Sequence, residues 1–306
     1  MQRVTRNHLR NQHHLHDVDP VAFVAPGERF IIETTGGCSP EAYKYGVLTG
    51  PIGVRGVVPG DTLAVRIHDI RITDTETIAG FGPGNAPCGG ILCAHATEKF
   101  ERVVQIRDGM VHFGRGIQLP VRPMMGWIKV CDPAVSGDPG TNGGNMDNKQ
   151  LAAGATIYLQ AKVDNAKLAM GDLHACMGDG EISGAAVEVA GEVEITVDVL
   201  PATRAHRPIV LTPDEFMTIG SRMLPVQNSY HQCVSDMVHF VMATHGMGFE
   251  EANLLVSLAG DLRVCNVVSW LPIFRMAMPR HLLLPPEQLL RRELGELPYP
   301  EAWVKP

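Results

Sequence analysis

Between residues 143 and 188, five potential oxygen or nitrogen ligands fall in glycine-flanked segments. Asp147 follows Gly143-Gly144-Asn145-Met146, Asp172 and His174 stand in Gly171-Asp172-Leu173-His174, and Asp179 and Glu181 stand in Gly178-Asp179-Gly180-Glu181. In an extended chain Asp172 and His174 share a face, as do Asp179 and Glu181, because strand side chains alternate. Carboxylates and an imidazole suit Zn²⁺ or another divalent ion. A remaining carboxylate can take a proton from water. Glycine lets a backbone approach a ligand closely and adopt positive φ. One acid in a glycine turn ordinarily just bonds a nearby amide. It is the density of these groups, with a histidine among them, that points to a site. Cys176, two residues after His174, raises a cysteine nucleophile, although a free cysteine is more often a small buried hydrophobe. His95 follows Gly89-Gly90 and Cys93 within reach of a site, while His13, His14 and His16 read as an unanchored end. No Ser sits in a GxSxG elbow.

The elements that must hold these groups are mostly strands up to about residue 200. Leu63, Val65 and Ile67 alternate, and then Ile70 and Ile72 carry the apolar face, a phase slip that predicts a bulge near His68-Asp69. Residues 102–106 and 110–113 read as a hairpin around Asp108-Gly109. Val187, Val189, Val193, Ile195, Val197 and Val199 alternate with Glu188, Glu192, Glu194 and other polar residues, which predicts one antiparallel strand with a buried and a solvated face. Pro213-Asp214-Glu215 predicts a short helix. Residues 229–245, 249–262 and 286–294 read as further helices, with a returning strand at 263–268. The fold expected is mainly β with an α+β C-terminal part: a β-sandwich-like, jelly-roll-type body with helices packed after residue 212. Residues 1–200 would form the body carrying the site loops, and 201–306 a region packed on it and not independent.

The 306 residues are 45% hydrophobic with a formal net charge of −7, enough to bury a core and without the basic footprint of a nucleic-acid binder. No GxGxxG or P-loop supports a nucleotide cofactor. Seven cysteines without CxxC spacing disfavour a disulfide framework and a thiolate zinc site. No apolar stretch approaches the ~20 residues of a membrane span, and Met1–Asp17 lacks a signal-peptide core. A cytoplasmic setting is the expectation.

Several strings resemble the acetamidase/formamidase family: Pro120-Val121-Arg122-Pro123-Met124-Met125-Gly126, Gly143 to Asn148, Gly154 to Leu159, and Gly171 through Glu181, with weaker matches spanning about residues 20 to 285. The resemblance implies a hydrolase of small carboxamides, formamide- or acetamide-like, that releases ammonia. It implies a β-sandwich-like body, a divalent metal with zinc expected, and a homodimer or larger assembly. Cyclic amides such as γ-lactams are an alternative substrate class. Met177, Gln160 and Asn165 stand where relatives often carry Gln, Pro and Gly, and Cys176 where Ala is expected. On this reading Asp172, His174 and Asp147 are the metal ligands. Glu181 is the general base and then acid, Asn145 orients the amide, and Asp179 is a ligand or supports one. A Cys176-dependent amidase and a non-enzymatic β-sandwich binding protein with a structural metal are the rival readings.

Overall fold

The computed structural model describes residues 1–11, 15–37, 39–81, 90–133, 139–203, 205–221, 225–268 and 271–291. His13, His14, Cys38 and Cys88 lie outside these residues. The chain begins with β1 (Gln2–Val4), β2 (Leu9–Arg10), β3 (Ala22–Val24), β4 (Arg29–Thr34), α1 (Pro40–Tyr45), β5 (Leu48–Val54), β6 (Thr62–Ile72) and β7 (Glu76–Phe81). It continues through β8 (Phe100–Arg107), β9 (Met110–Gly114), β10 (Ile117–Pro120), β11 (Met124–Lys129), β12 (Gly143–Asn145), β13 (Thr156–Gln160) and β14 (Leu168–His174). The remainder is β15 (Gly191–Leu200), β16 (Ile209–Leu211), β17 (Glu215–Ser221), α2 (Gln227–His245), α3 (Phe249–Ala259), β18 (Asp261–Asn266), β19 (Ile273–Pro279) and α4 (Pro286–Leu289).

Nine strands form one sheet in the order β1-β4-β15-β6-β13-β16-β17-β19-β18. A second sheet runs β12-β11-β14-β5-β2, with β3 also on β5, and a third runs β10-β9-β8-β7. The main core lies between the first two sheets. Ile32, Val65, Ile67, Val193, Ile195 and Ile157 from one meet Ile52, Met125, Ile128, Leu168 and Met170 from the other. A second core covers the opposite face of the large sheet, where Phe216 and Met278 meet Met237, Val241 and Val256 of α2 and α3. Thus the mainly-β body and the C-terminal helices take the expected places, and strands from both sides of residue 200 share the large sheet.

Local expectations divide by how much tertiary pairing they needed. The phase slip in β6 is a bulge, since Asp69 pairs with Glu194 and Ile67 with Ile195, leaving His68 over. The β8–β9 hairpin turns at Asp108 and Gly109, both at positive φ. α2 ends at Gly246, whose φ of 68° gives the left-handed cap. The helix expected at Pro213 is instead a hairpin between β16 and β17. Thr212 Oγ1 accepts from the Glu215 N–H at 3.0 Å, which closes the turn, and β17 then pairs with β19 along seven residues. The helix expected over 249–262 stops at Ala259, because from Asp261 the chain joins β19 as β18. The fourth helix spans only Pro286–Leu289 within the described residues. The N-terminus is anchored, with β1 parallel to β4. The single strand expected over 187–199 begins only at Gly191. Residues 187–189 pair instead with the end of β14, through Ala175 N to Val187 O at 2.7 Å and Val189 N to Leu173 O at 2.9 Å. The chain changes sheets at Ala190-Gly191.

Close approach of β17 to α2 depends on Gly220. A Cβ there would lie 1.9 Å from the Ser229 carbonyl oxygen and 2.9 Å from the Cys233 nitrogen, both backbone atoms that cannot yield locally. Gly220→Ala is expected to cost about 2–3 kcal/mol of stability, read from the urea midpoint at unchanged m-value; a shift below a tenth of that would contradict the packing described.

Candidate active site

The site forms where the end of the second sheet meets the edge of the large one. Hairpin strands β11 and β12 pair through Trp127 and Asn145, and β14 lies on the other side of β11. Gly126, in the middle of β11, accepts from the backbone N–H groups of both Met146 and Asp147, at 3.0 and 3.1 Å. That carbonyl fixes the chain just after β12. Gly126 also faces the carboxylates: a Cβ there would come within 2.6 Å of Asp147 Oδ1 and 2.7 Å of Asp172 Oδ2. The glycine closing the Pro120–Gly126 string is therefore a spatial requirement of the site. The 178–181 turn, which follows β14, docks on the end of β18 of the large sheet, with Gly180 N donating to Cys265 O at 2.9 Å and Val267 N to Gly180 O at 3.2 Å.

These constraints bring Asp147, Asp172, His174 and Glu181 together, with Glu188 as a fifth member. One ligand atom each of Asp147, Asp172 and His174 lies within 4.8 Å of the others, and the same holds for His174, Glu181 and Glu188. His174 is fully buried and belongs to both sets. Its Nε2 lies 3.0 Å from Glu188 Oε1 and 3.5 Å from Asp172 Oδ1, yet among the described residues neither ring nitrogen has a well-directed hydrogen bond. Asn266 Nδ2 donates to Asp147 Oδ2 at 2.5 Å and to Glu181 Oε2 at 2.9 Å. Gly37 N donates to Glu188 Oε2 at 2.7 Å. The Asn145 amide orientation that satisfies its neighbours points Nδ2 at Asp147, 3.0 Å away, and Asp172, 3.3 Å away. Three of the carboxylates sit on left-handed backbone: Asp147 at φ 42°, Asp172 at 63° and Glu181 at 46°. Each such non-glycine residue stores of order 1 kcal/mol or more, a strain that concentrates at functional sites.

Electrostatics follows from crowding anions in a dry place. Burial, and then the charge of Asp172, pushes the Asp147 carboxyl up to about 7. Burial and the Asp147 charge push Glu181 up to about 10. Glu188 is raised too, chiefly by burial. Burial opposes ionisation of Asp172 as well, but the nearby His174 charge, helped by the Gly37 N–H, overcomes it and holds this carboxyl below the usual range. Burial likewise opposes the charge on His174, and the flanking Glu188 and Asp172 carboxylates overcome it and raise the imidazole above its ordinary value. A buried set of nitrogen and oxygen donors, with ring nitrogens that lack directed partners and more negative than positive charge, fits a divalent cation. The group could hold a metal ion.

Asp179 is placed differently. It points to Arg275, whose Nη2 reaches its two oxygens at 3.0 and 2.8 Å, and to Lys149 Nζ at 2.9 Å. Burial alone would raise its carboxyl, but those two cations hold it below the usual range. Arg275 also donates to Val264 O, so it ties the 178–181 turn to β18. Cys176 is half-buried, and burial raises its thiol despite the opposing His174 charge; this disfavours the thiolate a nucleophile needs. His95 lies in a 3-10 turn over Cys93–His95, and His16 faces Asp17 at 3.2 Å. Sequence reasoning missed Glu188 and Asn266. Glu188 was hidden in an alternating run, where period two assigned it to the solvated face. Asn266 sits in a strand with no signal around it.

Two cations on one carboxylate allow a comparison. Arg275 is fully buried and Lys149 is 39% exposed at its side chain. Arg275→Met is expected to cost about 3 kcal/mol by urea unfolding, and Lys149→Met less than about 1 kcal/mol. Equal costs would contradict the different burial.

The sequence model of the acetamidase/formamidase family matches residues 132–272, which include the whole cluster. A formamidase of Methylophilus methylotrophus is 28% identical, over 60% of this chain and 62% of its own length; the chain thus spans about three fifths of that curated relative. The solved structure of a predicted acetamidase/formamidase from Thermoanaerobacter tengcongensis superposes with a TM-score of 0.84 at 30% identity, covering 92% of this chain and 96% of that one. An acetamidase from Bacillus halodurans gives 0.79 at 30% identity, over 91% and 97%.

Proposed function

We propose that this chain, which belongs to the acetamidase/formamidase family, hydrolyses a primary carboxamide to the carboxylate and ammonia at the buried cluster, with a divalent ion, zinc foremost, as cofactor. The observation that carries this reading is the convergence of four carboxylates and one imidazole, three of the carboxylates on strained backbone. The names of the relatives support the same chemistry.

Carboxamides resist attack because nitrogen donates into the carbonyl. Hydrolysis needs an activated water, stabilisation of charge on the carbonyl oxygen, and a proton for the departing nitrogen. A divalent ion supplies Lewis acidity toward the carbonyl oxygen or water. Asp147, Asp172 and His174 would hold it, with Glu188 as a further ligand or as the partner that orients His174. Glu181 is assigned the proton. It takes one from water as the oxygen attacks the carbonyl carbon, and gives it to nitrogen as the C–N bond breaks; ammonia leaves, and the carboxylic acid formed passes its remaining proton to ammonia or solvent to give the carboxylate. Glu181 would be left ionised to take the first proton, because a divalent ion held by Asp147 and Asp172 offsets the anionic charge that adds to burial in pushing it toward the protonated form. Asn266, bonded to both Glu181 and Asp147, would set their separation. Asn145 turns toward Asp147 and Asp172, so we assign it to holding those carboxylates rather than to orienting the amide. Asp179, saturated by Arg275 and Lys149, serves to seat the turn that carries Glu181.

Among the described residues no helix is long and apolar enough to cross a membrane. We retain a homodimer or larger assembly. Leu254 and Leu258 on α3 are exposed and would be covered by such an interface, whereas Leu289 and Leu290 are already buried in the second core. Light scattering at micromolar concentration decides this; a monomer removes the assembly from the account.

Ammonia release from a panel of primary amides tests the activity. Chelation followed by dialysis is expected to abolish it, and Zn²⁺ or Mn²⁺ to restore it; full activity in protein shown by elemental analysis to be metal-free would sink the metal reading. A metal-replete protein releasing no ammonia from any amide would instead favour a binding protein with a structural metal. Glu181→Gln should keep the metal and lose ~10²-fold or more in kcat. Loss of the metal would make Glu181 a ligand, and near-normal kcat would remove it from the mechanism.

Cys176→Ala should stay within a few-fold of the parent in kcat. A loss of ~10³-fold or more with the fold intact would point to covalent catalysis through the thiol.

A further inference from the structure

Beside the polar cluster lies a cavity of about 490 Å³. One wall comes from the β7–β10 sheet, with Phe81, Phe100, Phe113 and Leu119; the other comes from two short segments, 176–178 and 185–187. Both segments border the reactive groups. Cys176 is two residues from His174, so their Cα atoms are at most about 7 Å apart. Val187 directly precedes Glu188, a separation of about 3.8 Å. Gly178 O accepts from Glu181 N at 3.2 Å. Three different cluster members are thus each within three residues of the cavity wall. The charged lining residue, Arg122, is exposed to solvent. Elsewhere the lining is mostly apolar, and Phe81, Phe100 and Leu119 remain 36%, 43% and 39% exposed.

We infer that this cavity receives the acyl part of the substrate, and that the substrate class is primary amides with an arylalkyl or branched apolar acyl chain rather than formamide or acetamide. The inference rests on the amidase reading above. A cavity of several hundred Å³ belongs to the size class that encloses drug-sized ligands. A formyl or acetyl group would leave nearly all of it to water. Each methylene moved from water onto such walls is worth about a fourfold gain in affinity. Aromatic side chains on the β7–β10 wall offer edge and face contacts to a ring.

The test compares kcat/KM for formamide, acetamide, isobutyramide and phenylacetamide in the metal-replete protein, and repeats it in Phe100→Ala and Leu119→Ala. Phenylacetamide is expected to exceed acetamide by about 10²-fold. Each variant should lower the phenylacetamide-to-acetamide ratio at least tenfold, with circular dichroism reporting the fold. Formamide or acetamide as the best substrate, or a ratio unchanged in both variants, overturns the inference while leaving amidase activity standing. If no amide is hydrolysed, the amidase reading fails by itself, and calorimetry with phenylacetamide then decides the cavity: binding weakened at least tenfold by Phe100→Ala supports it, and no binding overturns it. An assembly that Phe100→Ala dissociates in light scattering would show the cavity to be an interface between copies, and overturns it as well.

Discussion

Four carboxylates packed around one imidazole cannot all keep their charge in a dry interior. Removing an ion from water costs several kcal/mol even after relaxation, and like charges at this spacing raise one another's pKa. Hydrogen-bond donors relieve only part of the excess: the Gly37 N–H on Glu188, and the Asn266 and Asn145 amides on Asp147 and its neighbours. The balance must come from protons or from a cation. Burial drives Asp147, Glu181 and Glu188 toward the protonated form, while the flanking Glu188 and Asp172 carboxylates favour the charged form of His174. This cluster is a costly way to fill a core, and under the proposed reading a divalent ion would supply the missing positive charge.

The rest of the fold can be read as the means of holding that cluster together. Its charged members come from the second sheet and the segments that follow it, and Asn266 reaches them from the edge of the large sheet, so the full set of contacts forms only when the two sheets are packed. β14 delivers Asp172 and His174, and the chain returns as residues 187–189 to place Glu188 opposite His174 before it changes sheets. β18 closes the other side with Asn266, and its neighbour β19 supplies Arg275, which seats the Glu181 turn through Asp179. Side chains had to be removed where the carboxylates converge: Gly126 and Gly37 leave no room for a Cβ beside Asp147, Asp172 and Glu188. Left-handed backbone at Asp147, Asp172 and Glu181 completes the aim of these groups, and the two cores hold that strain in place.

Much of this was legible in the sequence, and the limits have physical causes. Glycine spacing exposed Asp147, Asp172, His174 and Glu181 because a site built on close approach and left-handed turns leaves a local mark. The bulge in β6 and the Asp108-Gly109 hairpin were legible for the same reason, since both are decided by neighbours along the chain. Glu188 was not. Its period-two surroundings are those of a half-buried strand, and only the change of sheet at Gly191 turns it inward. Asp179 shows the converse: its motif resembles that of Glu181, yet Arg275, 96 residues away, claims it. The Pro213 turn misled because proline favours a helix start and a hairpin loop alike, and pairing with β19 decided between them.

Thermal unfolding of Asp147→Asn, with and without metal, tests the claim that charge balance by a cation organises the site. This substitution keeps the shape and removes one anion from the crowd. If a divalent ion is the intended counter-charge, the variant should be more stable than the parent in chelated protein and less stabilised than the parent by saturating Zn²⁺, because it relieves repulsion in one state and loses a ligand in the other. A variant destabilised in the chelated state, or stabilised by Zn²⁺ as strongly as the parent, would contradict the account.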